Sequence, residues 1–485
     1  MIFIGIDLGT SAVKLIAMKE NGKILKTVSK EYPLYFPKSG WSEQNPEDWF
    51  SGVMSGLCEL LCGLDKSEVA GISFGGQMHG LVALDENDDV IRPAILWNDG
   101  RSAKQTEYLN TAVGKERLSA LTANIAFAGF TAPKILWMKE NEPENFARIK
   151  KIMLPKDFIA YRLSGSFCTD VSDASGTLLF GVKNRRWSKE MLDICGIDES
   201  LLPMVYESYE PVGTLKEEHA KALGLSNNVK IAAGAGDNAA AAIGTGTVSD
   251  GDCNISLGTS GTVFISKDAF GTDGQNALHS FAHANGKYHL MGCMLSAASC
   301  NKWWCENILK TSDYAAEQQG NLKLGENPVI FLPYLMGERS PHNNPDARGV
   351  FFGMSMDTTR QDMTLSILEG VAFALNDSIE AAKSTGAVVT SAKICGGGAK
   401  SPLWRQIIAD VTGLCIETVE SEEGPALGAA MLAAVGCGAF DSVTKAAQSI
   451  VRVVSTTRPD PEAVEKYKEK YQKFRELYPA LKNLF

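Results

Sequence analysis

Four short stretches hold side chains with chemistry in them. In the segment 4–14, IGIDLGTSAVK, an apolar run delivers Asp7 to a Gly-Thr-Ser turn and the chain doubles back into Val13, Leu15 and Ile16. That is the pattern of a buried strand opening a β-hairpin. The tip offers backbone N–H groups, the hydroxyls of Thr10 and Ser11, and a glycine that lets a ligand approach closely; phosphate oxygens suit it. Asp7 would then hold a hard cation bridging to those oxygens through water. In an ordinary hairpin the same Asp bonds the turn backbone.

The chain repeats itself half its length later. NISLGTSGTVFI, 254–265, aligns Ile255–Ser260 with Ile6–Ser11, and Asp7 is replaced by Ser256. Repetition at that distance predicts two domains on one plan, 1–246 and 247–485. Two phosphate-gripping hairpins with a single cation site are what a nucleotide in a cleft requires. Chance recurrence of a turn is the alternative.

Asp237 lies in GAGDNAAAAIG, after a predicted strand at 230–233 and at the start of a helix. There the dipole and free N–H groups are expected to favour its ionised form, fit to orient a hydroxyl and accept its proton late in a phosphoryl transfer. Asn238 beside it is a ready partner for a sugar hydroxyl. A plain N-cap bonding the N–H of Ala239 or Ala240 is the other reading. In FGGQMHG, 74–80, two glycines end a strand and present Met78 and His79. The ring could exchange hydrogen bonds with a polyol whose carbon face packs on the thioether; a satisfied turn histidine fits equally. Gly396-Gly397-Gly398 at a strand end permits close contact with a nucleotide, or forms a tight strand–helix turn. There is no G-x-x-x-x-G-K-[ST] and no protein-kinase motif set. His279 and His283 have the spacing of a zinc pair but lack a third ligand and the metalloprotease Glu. Arg339 beside Glu338 reads as an internal ion pair or as a residue near a nucleotide.

These residues need rigid strand ends and helix starts beneath them. After the first hairpin a strand pair is expected near 23–35. A helix follows from Pro46 to about Leu61, with Glu47 and Asp48 in its first turn. Strands at 68–74, 81–85 and 94–96 come next, the last running into WNDGR. In the second half a helix is predicted around 296–309, a strand at 329–332 and a long helix at 359–382. A strand at 392–395 and a helix from Ser401-Pro402 follow. A small-residue helix opens at GPALGAA, where backbones can pack closely, and a terminal helix spans about 460–485. Strands alternating with helices give an α/β fold.

At 485 residues the chain exceeds one core, and 45% hydrophobic with 21% charged residues is ordinary for a globular protein. A net charge of −10 argues against a general nucleic-acid binder. No apolar run has membrane-spanning length, and Met1 leads straight into a strand without a signal-peptide n-region. The eleven cysteines are scattered, odd in number and free of C-x-x-C, which predicts reduced thiols in a cytoplasm; Cys58 and Cys62 are expected on the core face of their helix.

With these residues collected, the chain resembles the FGGY carbohydrate kinases over almost its whole length. IGIDLGTSAVK, WSEQNPEDW, GQMHG, RPAILWNDGR, GFTAPKILW, SDASGT, GAGDNAAAAIG, SLGTSG, FLPYLMGERSPHNNP, GGGAKSPLWRQ and GPALGAAM carry the likeness, GQMHG and RPAILWNDGR most specifically. The resemblance implies two actin-like (ribonuclease H-like) domains around a cleft where ATP and a sugar meet. It implies Asp237 as the base for the C5 hydroxyl of D-xylulose attacking the γ-phosphate, with Met78, His79 and Asn238 on the sugar. Asp7 is implied as the Mg²⁺-associated carboxylate. Thr10, Ser11 and Lys14 would face phosphates from one domain, and Gly258, Thr259 and Ser260 from the other. Gly397, Gly398 and Ser401 would hold the nucleotide, although related kinases carry Asn at the position of Ser401. Trp97, Asp99 and Lys156 lie in characteristic segments without an assigned role. Closure over the substrates is expected, and dimers are frequent in the family, so a homodimer is compatible with it. A ribulose, gluconate or glycerol kinase is the nearest alternative. An actin- or chaperone-type ATPase leaves Met78 and His79 unexplained, and a nonenzymatic sugar sensor leaves both aspartates so.

Overall fold

The computed structural model describes residues 1–320 and 322–485. The chain forms two compact units that are not a single cut of the sequence. One contains 1–248, 280–288 and 423–451; the other contains 249–279, 289–422 and 452–485.

In the first unit the segment from Ile2 is apolar enough to be buried on both faces, and it becomes strand β1 (Ile2–Leu8). Its antiparallel partner is β2 (Ala12–Lys19), which pairs in turn with β3 (Ile24–Glu31). One strand thus occupies the region where a strand pair was expected. On the other side β1 lies parallel to β4 (Val69–Gly76), followed by β5 (Pro211–Thr214) and β6 (Lys230–Ala232), in the order β3-β2-β1-β4-β6-β5. A two-residue strand, β7 (Ala235–Gly236), also joins β4.

Helix α1 (Pro46–Leu61) covers one face of this sheet, with Trp49, Val53, Leu57 and Leu60 against Ile2, Ile4 and Ile6. Cys58 and Cys62 do not share that face and are exposed, contrary to expectation. The buried stripe runs through 49, 53, 56, 57 and 60, and residue 58 lies about 100° round from 57. Helices α2 (Asp237–Gly244) and α5 (Gly424–Gly436) cover the other face. Their approach depends on glycine. A Cβ on Gly5 would stand 1.9 Å from the Ala426 carbonyl oxygen, and one on Gly428 1.9 Å from that of Ala240.

The second unit repeats the plan. Strand β8 (Cys253–Leu257) pairs antiparallel with β9 (Gly261–Lys267), beyond which lies β10 (Tyr288–Met294). Parallel to β8 run β11 (Ser391–Cys395) and then β12 (Cys415–Val419), with β13 (Val453–Thr457) antiparallel at the edge. The inner order β10-β9-β8-β11 repeats β3-β2-β1-β4 of the first sheet; beyond it β12 precedes its edge partner β13 in the chain, whereas β6 follows β5, and a further strand, His279–Ala282, lies outside β10. Helices α3 (Arg360–Ser384), α4 (Pro402–Thr412) and α6 (Pro461–Leu481) pack with Ile255, Leu257 and Val263 in one core. The helix expected at 296–309 is a short α-helix, Ala298–Lys302, continuing as a π-helical turn, Trp303–Ile308. Among the described residues no helix is long and apolar enough to cross a membrane.

Candidate active site

In the first unit β1 and β2 close a hairpin in which Asp7 stands opposite Lys14. Lys14 Nζ lies 2.9 Å from Glu423, the residue that precedes α5. The Asp7 carboxyl is pushed up to about 7, first by burial and then by the charge of Asp237, with Lys14 opposing. Side chains from three elements hold the carbonyl oxygens of the tip. Gln44 Nε2 donates to Thr10 O at 2.7 Å, Tyr32 Oη donates to Gly9 O, and Gln77 Nε2 reaches Gly9 O at 3.5 Å. Among the described residues no acceptor takes the N–H of Thr10 or Ser11. The tip is fixed by its oxygens and presents its donors. Trp97, two-fifths exposed, donates its indole N–H to Thr10 Oγ1 at 3.0 Å.

Asp237 is the first residue of α2, after the glycine rung where Gly76 pairs with Gly236. Its Oδ1 takes the backbone N–H of Asn238 at 2.7 Å and the Asn238 side-chain amide at 2.9 Å. It does not bond Ala239 or Ala240 as a plain cap would. The helix start was expected to favour the ionised form, but burial outweighs the two hydrogen bonds and the carboxyl is raised to about 6. Such a carboxylate is a better base near neutrality than an ordinary aspartate.

Met78 is buried beside it: a Cβ on Gly236 would stand 2.9 Å from Met78 Sδ. His79 adopts φ of 70°. Its ring stacks on Phe130 with centroids 4.6 Å apart, and Nδ1 lies 2.7 Å from Gly176 O. Its carbonyl oxygen receives Thr131 Oγ1 at 3.1 Å and the buried amino group of Lys134 at 2.8 Å. Asp7, Asp237, Asn238, Met78 and His79 thus stand on the strand ends and helix start of one unit. Asp99 is inside, accepting from Ser42 N and paired with the buried Arg101 at 2.7 Å.

In the second unit the hairpin tip Gly258-Thr259-Ser260 is held by backbone. Ala298 N donates to Gly258 O at 2.8 Å, and Ala297 N to Thr259 O at 2.9 Å. Ser299 adds its hydroxyl to Thr259 O at 2.7 Å. Gly396, at φ of 92°, presses on the same tip, since a Cβ there would lie 2.7 Å from Leu257 O. Gly398 would similarly meet Leu257 Cδ2 at 2.6 Å, whereas Gly397 faces open space. The structure therefore brings Gly258–Ser260 and Gly396–Gly398 together. Ser401 caps α4, taking Trp404 N–H at 3.1 Å and donating to Gln318 at 2.5 Å. Glu338 is buried and raised to about 8 by that burial; its Oε1 accepts the backbone N–H groups of Arg339 and Leu295. His283 sits on a loop with Nε2 2.9 Å from Thr247 O.

Sequence reasoning passed over Tyr32, Gln44, Gln77, Phe130, Lys134 and Glu423. Gln44 and Gln77 stood inside quoted segments, and a polar residue next to a glycine turn was the available signal. Glu423 had none, being 409 positions from its lysine.

The description of carbohydrate kinases of the FGGY family, N-terminal domain, matches residues 2–244, and that of its C-terminal domain matches 253–437. A xylulose kinase of Escherichia coli K12 is 40% identical over 486 residues, covering 99% of each chain. One of Bacillus subtilis is 38% identical over 99% of this chain and 97% of its own. The crystal structure of a xyloylose kinase from Brucella ovis superposes with a TM-score of 0.96 at 38% identity, covering all of both chains. Both family descriptions matched in order, with identity sustained from end to end, place the chain in the FGGY family of carbohydrate kinases.

Proposed function

We propose that this kinase transfers the γ-phosphoryl group of ATP to the C5 hydroxyl of D-xylulose, giving D-xylulose 5-phosphate. The observation that carries the reading is Asp237. It is a carboxylate raised to about 6, at a helix start, flanked by Asn238 and by Met78 packed on the preceding glycine. Full-length similarity to xylulose kinases supports the choice of sugar. Met78 and His79 form the wall for the carbon chain, and Asn238 serves a hydroxyl. Asp237 orients the attacking hydroxyl and takes its proton as the new P–O bond forms in line with the breaking bond to ADP.

The open N–H groups of Thr10 and Ser11 and the hydroxyls beside them are donors for phosphate oxygens, as are Gly258, Thr259 and Ser260. Gly397 and Gly398 admit the nucleotide closely, with Ser401 at the helix start after them. On this reading 1–246 carries the sugar site and 247–485 the nucleotide site. The charge of Asp237 adds to burial in raising the proton affinity of Asp7 against the opposing Lys14, and that surplus negative charge fits a divalent cation. Among the described residues no group of three or more His, Cys, Asp or Glu side chains could hold a metal, so Mg²⁺ would rest on Asp7 and on substrate phosphates. Bound there, Mg²⁺ supplies neutralisation of the phosphate charge.

The test is ADP release from MgATP with D-xylulose, L-ribulose, D-ribulose, gluconate, glycerol or no sugar, with Asp237→Ala alongside. Turnover that favours D-xylulose and is lost in the variant is the expected result. Preference for another sugar moves the specificity off Met78 and His79, and turnover indifferent to sugar overturns the reading.

A further inference from the structure

One buried cation sits under both of the turns that carry the sugar-site residues. Lys156 has no solvent exposure, and its ammonium lies 2.6 Å from Asp157, 2.9 Å from Asp170 and 3.8 Å from Asp173. It also reaches Ala233 O, at the end of β6, at 3.4 Å. Its stem presses on the strand end before Met78, where a Cβ on Gly76 would stand 2.7 Å from Lys156 Cβ. From Asp170 a hydrogen-bonded path leads on to Asp237. Asp170 Oδ2 takes the hydroxyl of Ser172 at 2.5 Å, and Ser172 Oγ accepts the N–H of Gly236 at 3.1 Å. Gly236 is the residue before Asp237 and the partner of Gly76 across the sheet.

We propose that Lys156, Asp170 and Ser172 form a positioning device that fixes the Gly236 peptide and thereby aims Asp237 at the sugar hydroxyl. The inference rests on the reading of Asp237 as the base. The chemistry favours that role over simple stability. A buried ion pair of this kind is a weak source of stability once its desolvation is counted, whereas it fixes geometry well. Both oxygens of Asp173 lack hydrogen-bond partners, so the cluster is not arranged to satisfy every member. Removing one link orphans a buried N–H at the residue that sets the helix start, and small displacements of a reacting group are costly.

Lys156→Met is the blunt variant and risks the fold, so the test uses Ser172→Ala. A control is Ser208→Ala, which removes another fully buried hydroxyl from the same Asp170 oxygen (2.7 Å) without touching Gly236. The expected result is a fall in kcat of about ten- to a hundredfold for Ser172→Ala. D-xylulose affinity, read by tryptophan fluorescence independently of turnover, should stay within about twofold, and Ser208→Ala should keep kcat within about threefold. Equal losses in the two variants, or wild-type kcat in Ser172→Ala, overturn the proposal. Asp237→Ala is assayed separately. If it still turns over, the base reading has failed; if it is inactive while Ser172→Ala is normal, only the positioning device has failed.

Discussion

The two hairpins share an antiparallel register and a Leu-Gly-Thr-Ser tip, yet their tips are held by opposite means. Side chains of Tyr32, Gln44 and Gln77 grip the first tip, whose strand carries Asp7 facing Lys14. Backbone N–H groups of residues 297–299 grip the second, and its strand carries Ser256 facing Thr262. A helix start makes a neutral, generic cradle, whereas side-chain clamps allow a charged and adjustable one. On the proposed reading the repeat supplies two phosphate cradles and charges only one of them.

Substitution at the matched positions gives the largest separation. Asp7→Asn should lower kcat by about two to three orders of magnitude, because it removes the carboxylate proposed to hold the cation. Ser256→Ala should change kcat by less than about threefold. Steady-state ADP release with D-xylulose measures both, and comparable losses would show that the missing carboxylate is not what distinguishes the hairpins.

The pH dependence comes next. Asp237 must be ionised to accept a proton, and its carboxyl is raised to about 6. Accordingly, at saturating MgATP, whose cation would hold Asp7 ionised, kcat/KM for the sugar should fall about tenfold per pH unit below pH 6 and be level above it. A profile flat down to pH 5 would mean that Asp237 keeps an ordinary aspartate pKa or is not the base.

Much of this site was legible before any coordinates. Repetition exposed the hairpins, glycine runs exposed the strand ends, and the GAGDN segment put Asp237 on a helix start, since each is a local pattern of a few residues. Its charge state was misread because dipole and N–H groups are visible in sequence, whereas burial depends on everything that packs around the carboxyl. Cys58 and Cys62 were misplaced because apolar spacing defines a stripe without saying which edge of it meets the sheet. The clamps on the first tip join residues tens of positions apart, and Lys14 meets Glu423 across most of the chain. The strand order had already brought those partners together, but no spacing rule reports it.

Stability offers a third contrast. The proton affinity of Asp7 is raised in the folded state from 3.8 to about 7, so protonation favours folding. That contribution is full below about pH 4 and is lost as pH rises through about 7. Asp7→Asn lacks the titration, and should be more stable than the wild type at pH 8 by roughly 4 kcal/mol, with no gain at pH 4. Urea unfolding at the two pH values measures it. A gain independent of pH would point to packing instead.

The smallest effects concern the clamps, and they bear most directly on how the two tips differ. Gln44 donates an amide proton to Thr10 O, and its side-chain oxygen accepts from both Trp49 Nε1 and Gln77 Nε2, so Gln44→Ala loosens the clamp at several points. Losing about one net hydrogen bond is worth about 1.4 kcal/mol, which predicts a KM for ATP raised about tenfold with kcat less affected. At the second tip a side-chain truncation reaches little, because Ser299→Ala deletes one hydroxyl while the N–H groups of Ala297, Ala298 and Ser299 remain on the same two oxygens. Its KM for ATP should rise about twofold at most. If Ser299→Ala equals Gln44→Ala, the backbone grip is not what holds the second cradle. If neither variant moves KM, the strands alone hold both tips open, and the clamps have some purpose other than presenting N–H groups to phosphate.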